Sequence, residues 1–210
     1  MTGTTGRTVP VAVAVSLSDQ TLLARARAGD QGAFHALVRR YEGTVARVAI
    51  GMLGPGPDAD DVGQETMLKL HASLERFRGD AGLGTYLTRI AINLALRTLQ
   101  RRRTWMQRFL RLDPQDPPRD PPAQDRPDAA LERGELSKLV GDALLQLAPD
   151  ERAVVVLRLV QELSTRETAA FLRIPEGTVM SRLSRALARL RPLLDSHGGA
   201  MLLREDPAHE

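Results

Sequence analysis

From Leu22 to Val48 apolar side chains return at three-, four- and seven-residue intervals: Leu22, Leu23, Ala26, Phe34, Leu37, Val38, Tyr41, Val45 and Val48. That period gathers them on one side of an α-helix and predicts helical structure through "SDQTLLARARAGDQGAFHALVRRYEGTVARVAIGML". "GPGPD" then interrupts the pattern. Asp58 is the predicted N-cap of the next helix, with Asp60 and Asp61 in a first turn where negative charge complements the helix dipole. This helix is expected to reach about Phe77, burying Val62, Thr66, Leu70, Leu74 and Phe77 along one stripe. A glycine-bearing loop (Gly79, Gly82, Gly84) leads into a further helical run that ends in Arg101, Arg102 and Arg103.

The pattern stops at "LDPQDPPRDPPAQDRPD", where six of the thirteen prolines stand among five aspartates. Proline removes backbone donors and the charges resist burial, so this is a semi-stiff, extended linker. Beyond it come two helical stretches, then a short helix, a turn and a second helix. Ser164 and Glu167 make a capping box for the short helix, and "RIP" ends it. The last helix begins near Pro175 and buries Val179, Leu183, Ala186, Leu187 and Leu190. No alternating strand pattern competes, so the predicted fold is all-α: two small helical domains, the second containing a helix-turn-helix. The divisions are a disordered leader (1–17), a first domain (18–103), a flexible linker (104–133), a second domain (134–194) and a disordered tail (195–210). The linker is expected to keep the domains together without fixing their spacing.

Composition removes whole classes of chemistry. The chain has no cysteine, which excludes disulfides, thiolate metal sites and cysteine nucleophiles. Its four histidines, His35, His71, His197 and His209, lack metal-ligand spacing, so neither metal nor cofactor is expected. No nucleophile–base pair or phosphate loop appears, and an enzyme is not expected. No apolar run approaches the roughly 18 residues that span a bilayer, and "PVAVAVSL" is too short. A cytoplasmic protein without membrane insertion is the expectation. The net charge is only +3, so the placement of the arginines says more than their number.

Three constellations carry candidate function. On the helix after "GPGPD", Asp61, Gln64, Glu65 and Leu68 share a face distinct from the buried stripe. The mixture suits docking of a basic helical partner; it also fits a solvated face with a stray leucine. In "FRGDAGLGTYLTRIAINLALRTLQRRR", Phe77 and Tyr86 are two of very few aromatics in a chain that is 3% aromatic. Aromatic faces stack on unpaired bases, Asn93 can read a base edge, and Arg97 with Arg101 to Arg103 can hold phosphates. A core Phe–Tyr pair and a solvated arginine end give the same pattern. In "ELSTRETAAFLRIPEGTVMSRLSRALARLR", Arg182, Arg185 and Arg189 point away from the buried stripe, with Thr178, Ser181 and Ser184 near the helix start. A recognition helix presents such residues to the major groove, arginine pairing with guanine or with phosphate. An ordinary helical hairpin with a basic face is the bland alternative.

These blocks, in order, resemble the extracytoplasmic-function group of bacterial RNA polymerase sigma factors. The likeness spans about residues 18 to 194 and rests on "LLARARAGDQGAFHALVRRY", "DADDVGQETMLKL", "FRGDAGLGTYLTRIAINLAL", "LAPDERAVVVLRLV" and "LSTRETAAFLRIPEGTVMSRLSRALARLR". The resemblance implies a first domain that binds the polymerase clamp and melts the minus-ten element, and a second that reads the minus-thirty-five element. It implies that the clamp's coiled coil docks on Asp61, Gln64 and Glu65, and that Phe77 and Asn93 line a pocket for a flipped base. It further implies that Thr165, Met180, Ser181, Ser184 and Arg185 face the minus-thirty-five DNA. Members of the group are often held by a cognate anti-sigma factor, which joins core polymerase and promoter DNA among the expected partners.

The chain departs from the family pattern in places. Gly82, Leu83 and Gly84 stand where Ser-Phe-Arg is common, and Tyr86 replaces a usual tryptophan. His71 likewise takes a tryptophan position. Met180 replaces a common basic residue, and Arg173 occupies a turn position usually held by glycine. A left-handed arginine there would cost about 1–2 kcal/mol. A helix-turn-helix regulator that binds an operator without acting as a sigma factor is the main alternative, although nothing N-terminal reads as a β/α sensor. A helical antagonist protein leaves the arginine-bearing helix unexplained.

Overall fold

The Ser18 hydroxyl accepts the Thr21 amide at 3.2 Å and so opens α1 (Asp19–Arg27). This computed structural model describes residues 17–77, 82–110 and 131–195. The leader up to residue 16, residues 78–81 with Gly79, most of the linker (111–130) and the tail from 196 lie outside the described residues. The long apolar pattern of the N-terminal part is two helices. Gly29, at φ +89°, turns the chain, and the Asp30 carboxylate caps the Ala33 amide at 3.0 Å to start α2 (Gln31–Leu53).

The next helix, α3 (Pro57–Ser73), starts one step earlier than Asp58. Gly56, at φ +142°, is the N-cap and Pro57 takes the first helical position, where a missing amide costs nothing. Asp58 falls inside the first turn and pairs with Arg102. The helix stops at Ser73, short of Phe77, and residues 74–77 continue as turns whose amides bond the carbonyls of His71 and Ser73. The Ser73 hydroxyl donates to Lys69 O at 2.7 Å, and the Arg27 guanidinium donates to the carbonyls of Leu74 and Phe77.

Gly84 lies inside α4 (Leu83–Leu110), where the sequence suggested a loop. A Cβ on it would stand 3.2 Å from the Tyr41 ring, so this glycine permits close packing of α4 on α2. The helix continues past Arg103 to Leu110, into the stretch read as linker. Beyond residue 130 come α5 (Leu131–Leu145) and α6 (Pro149–Val155), which runs on as a π-helical turn (Val156–Val160). The last pair is α7 (Thr165–Leu172) and α8 (Glu176–Asp195). Among the described residues there is no strand, as expected for an all-α fold.

The two halves pack directly on each other, where the linker alone predicted free spacing. Ala153, Val156, Leu157 and Phe171 from the second half join the buried core of the first, with Leu37, Val48, Met52, Leu87 and Ile92. The approach is close: a Cβ on Gly51 would lie 3.0 Å from Val156, and one on Gly54 2.9 Å from Leu145. Arg152, only 4% exposed, bolts the seam. Its guanidinium donates to Met52 O across the seam and to Leu145 O and Leu147 O within its own half. The Met52 and Leu145 carbonyls lie in the last turns of α2 and α5, where a cation is favoured. Burial, then the charge of Arg102, pulls its pKa below the ordinary arginine value. Apolar complementarity, not the linker, therefore sets the relation of the halves.

Candidate nucleic-acid interface

Three surfaces hold the residues singled out above. On α3, Asp61, Gln64, Glu65 and Leu68 are all exposed, and Leu68 leaves 69% of its area to solvent. Glu65 shares an ion pair with Lys69 at 3.2 Å. A largely apolar groove runs beside this face between α2 and α3, lined by Val38, Val45, Ile50, Met67 and Leu68. The sequence marked the rim and missed the groove, because Val38 and Val45 read as core. The exposed Ile50, in the middle of an otherwise buried α2 pattern, was the available signal.

At the second surface Phe77 and Tyr86 pack with ring centroids 4.9 Å apart, each half-buried. The Tyr86 hydroxyl donates to Ser73 Oγ at 2.8 Å, so its polar end closes α3 instead of facing outward. Asn93 is exposed about two turns further along the same side of α4, followed by Arg97. The arginine triplet diverges. Arg101 shares a groove with Arg97, Glu65, Gln100 and Trp105, whereas Arg102 turns back to Asp58. Trp105, 58% exposed, was missed because it fell in the stretch read as linker. It is the chain's single tryptophan and follows Arg101 by one helical turn, a spacing that could have found it.

The third surface is the helix-turn-helix. The capping box forms as read: Ser164 Oγ accepts the Glu167 amide at 3.2 Å, and the Glu167 carboxylate accepts the Ser164 amide at 2.8 Å. The Ser164 hydroxyl also donates to that carboxylate at 2.6 Å, and this bond first, then the one from the Ser164 amide, holds the Glu167 carboxyl below its ordinary pKa. Arg173 is left-handed, at φ 57° and ψ 46°. Val179, Leu183, Ala186 and Leu190 are buried, and Leu187 is half-buried. Met180, Ser181, Ser184 and Arg185 are exposed along the start of α8, with Thr178 half-buried. Thr165 reaches across from α7, its hydroxyl donating to the Met180 sulfur at 3.6 Å. The three recognition-helix arginines all meet acids on α6: Arg182 meets Asp150 at 2.9 Å, and Arg185 and Arg189 meet Glu151 at 3.7 Å and 3.2 Å.

Among the described residues, no group of three or more His, Asp or Glu could hold a metal ion, and no helix is long and apolar enough to cross a membrane. Residues 37–105 match the family model for Sigma-70 region 2, and residues 137–190 match that for Sigma-70 region 4. The ECF RNA polymerase sigma-E factor of Haemophilus influenzae is 35% identical, over 83% of this chain and 94% of its own length. The chain belongs to the ECF group of RNA polymerase sigma factors. The ECF sigma factor SigM of Mycobacterium tuberculosis is 37% identical to this sigma factor, over 84% of it and 85% of the relative. Among solved structures, CnrH in complex with the cytosolic domain of CnrY matches at a TM-score of 0.59. It is 30% identical and covers 85% of this sigma factor and 97% of its own chain. The sigma factor RpoE of Bartonella quintana, solved with the anti-sigma factor NepR, shares the fold at a TM-score of 0.61 and 23% identity. That match covers 77% of this sigma factor and 96% of the RpoE chain. Relatives that match across both halves leave no support for a stand-alone operator-binding regulator. As an alternative sigma factor, the protein directs core polymerase to promoters and initiates transcription there.

Proposed function

We propose that this sigma factor docks the clamp coiled coil of core polymerase on Asp61, Gln64, Glu65 and Leu68 of α3. The observation that carries the assignment is an acidic rim beside an open apolar groove. A basic, amphipathic helical partner satisfies both at once: its cations pair with the rim and its apolar side covers Leu68, Met67 and Ile50. Phe77 supplies the apolar wall for an unpaired minus-ten base, with Tyr86 fixing the Phe77 ring from behind, and Asn93 reads the base edge. Arg97, Arg101 and Arg103 hold phosphates, while Arg102 spends its charge on Asp58. Ser181, Ser184 and Arg185 read the minus-thirty-five element from α8, flanked by Thr165, Thr178 and Met180. Arg182 and Arg189 act from the side of the same helix. The protein works without catalysis of its own and in the cytoplasm, where its polymerase and DNA reside. A cognate anti-sigma factor is a further partner class, in keeping with the family and with CnrH, whose structure contains a domain of a second protein.

The test is co-purification with core polymerase. The double variant Gln64→Ala, Glu65→Lys reverses the rim charge at exposed positions, so the fold should survive. The expected outcome is a weakening of core binding by at least about tenfold, from opposed charges at a docking centre. Undiminished co-purification would remove α3 from the docking surface.

A further inference from the structure

A buried carboxylate beneath a DNA-reading helix calls for a reason. Glu151 is 7% exposed, on the α6 turn that faces α8. Burying a carboxylate is costly unless cations and donors compensate it. Here the compensation comes from α8: Glu151 Oε2 lies 3.2 Å from Arg189 Nη1, and Oε1 lies 3.7 Å from Arg185 Nε. Arg185 Nε also donates to the Ser181 carbonyl at 3.2 Å. The Nε edge of Arg185 thus faces inward, its one N–H bonded to Ser181 and the Glu151 charge 3.7 Å away. Its two terminal nitrogens, the fork that matches guanine O6 and N7 or a phosphate, remain on a side chain that is 62% exposed. Next to it Asp150 draws Arg182 aside at 2.9 Å, so that cation does not crowd the reading edge.

We propose that Glu151 is a positioning residue for minus-thirty-five recognition: it acts through Arg185 and Arg189, presetting their direction before DNA arrives. The inference rests on the assignment of α8 to that element. The physical gain is in selectivity. An arginine held by one edge has little choice of partner, whereas a free arginine on a flexible stem finds any phosphate. One negative charge beneath the reading face also weakens attraction to DNA of the wrong sequence.

The experiment uses holoenzyme reconstituted from the full chain and core polymerase. Binding is compared on two promoters that differ only in having a specific or a scrambled minus-thirty-five element, across a salt series. The variants are Glu151→Gln, nearly isosteric but neutral, Glu151→Asp, and Arg185→Ala as the control for the reading helix. Glu151→Gln is expected to lower the specific-to-scrambled ratio about five- to tenfold, part of the discrimination carried by one bidentate arginine contact. Binding to the scrambled promoter should rise at the same time, and Glu151→Asp should fall between wild type and Glu151→Gln. A carboxylate that merely supports α6 would change the two promoters alike. An unchanged ratio in Glu151→Gln, or an equal loss on both promoters, overturns the proposal provided Arg185→Ala lowers the ratio. If Arg185→Ala also leaves the ratio unchanged, the assignment of α8 itself fails and the positioning role falls with it.

Discussion

Replacing Arg152 by methionine tests whether the seam between the halves is held as described. Methionine keeps most of the volume and removes the three donated hydrogen bonds to Met52 O, Leu145 O and Leu147 O. A hydrogen bond from a charged donor contributes about 1.5–3 kcal/mol, so the gross loss is roughly 5–9 kcal/mol. Taking a guanidinium out of water costs several kcal/mol, and methionine recovers that. The balance is a net destabilisation of about 3 kcal/mol. With a urea slope near 2 kcal/mol per molar, the midpoint should fall by about 1.5 M, read by circular dichroism. Arg158→Met is an internal control. That side chain donates to one carbonyl, Leu163 O, and is only part-buried, so its midpoint should move by less than half as much. Equal shifts for the two variants, or a shift below about 0.5 M for Arg152→Met, would refute the reasoning.

Phe77→Ala removes a proposed stacking wall worth about 1–3 kcal/mol, so permanganate reactivity of promoter thymines should drop roughly 5- to 150-fold in holoenzyme that still contains the variant. Undiminished melting would leave Phe77 as packing for Tyr86. Tyr41 is pushed up to about 12 by burial and then by its hydrogen bond to Asp19, from an ordinary value of 10.0. The unfolded chain therefore loses that proton first: stability should hold up to pH 10 and decline from there towards pH 12, and Tyr41→Phe should flatten the decline in alkaline melting curves. Arg173→Gly should relieve the left-handed strain and raise stability by about 1 kcal/mol, measured as a higher thermal midpoint.

Local rules made much of this chain readable. Ser164 and Glu167 declare a helix start from four residues of sequence, and the α8 stripe follows from its period alone. Arg173 could be suspected of left-handedness only through the resemblance, because the family usually holds glycine at that turn position. Other features depend on what lies across a gap. Gly84 reads as loop material until Tyr41 is seen against it. Asp58 reads as a cap, but Gly56 caps the helix two residues earlier, with Pro57 at its first position. Trp105 was lost to the linker because the arginine triplet suggested an end, while α4 simply continues. Nothing in the local sequence around Arg152 and Glu151 points to their burial. Only the approach of α2 and α8 shows why both are buried. The face on α3 was visible as a mixture of charge and apolar area, but its docking groove needed α2 in place.

The shared core also decides how the chain melts. The family models divide it at residues 37–105 and 137–190, which suggests two folding units. Yet Val156 and Leu157 are fully buried in a cluster built mainly from the N-terminal half. Cutting the chain between the halves would strand them, along with the glycine-lined notch on α2 that receives Val156 and Leu145. A calorimetric trace of the intact chain should therefore show one transition whose van't Hoff and calorimetric enthalpies agree. The N-terminal fragment alone should melt at a lower temperature than the whole. Sequence families draw the border at the linker; cooperativity ignores it.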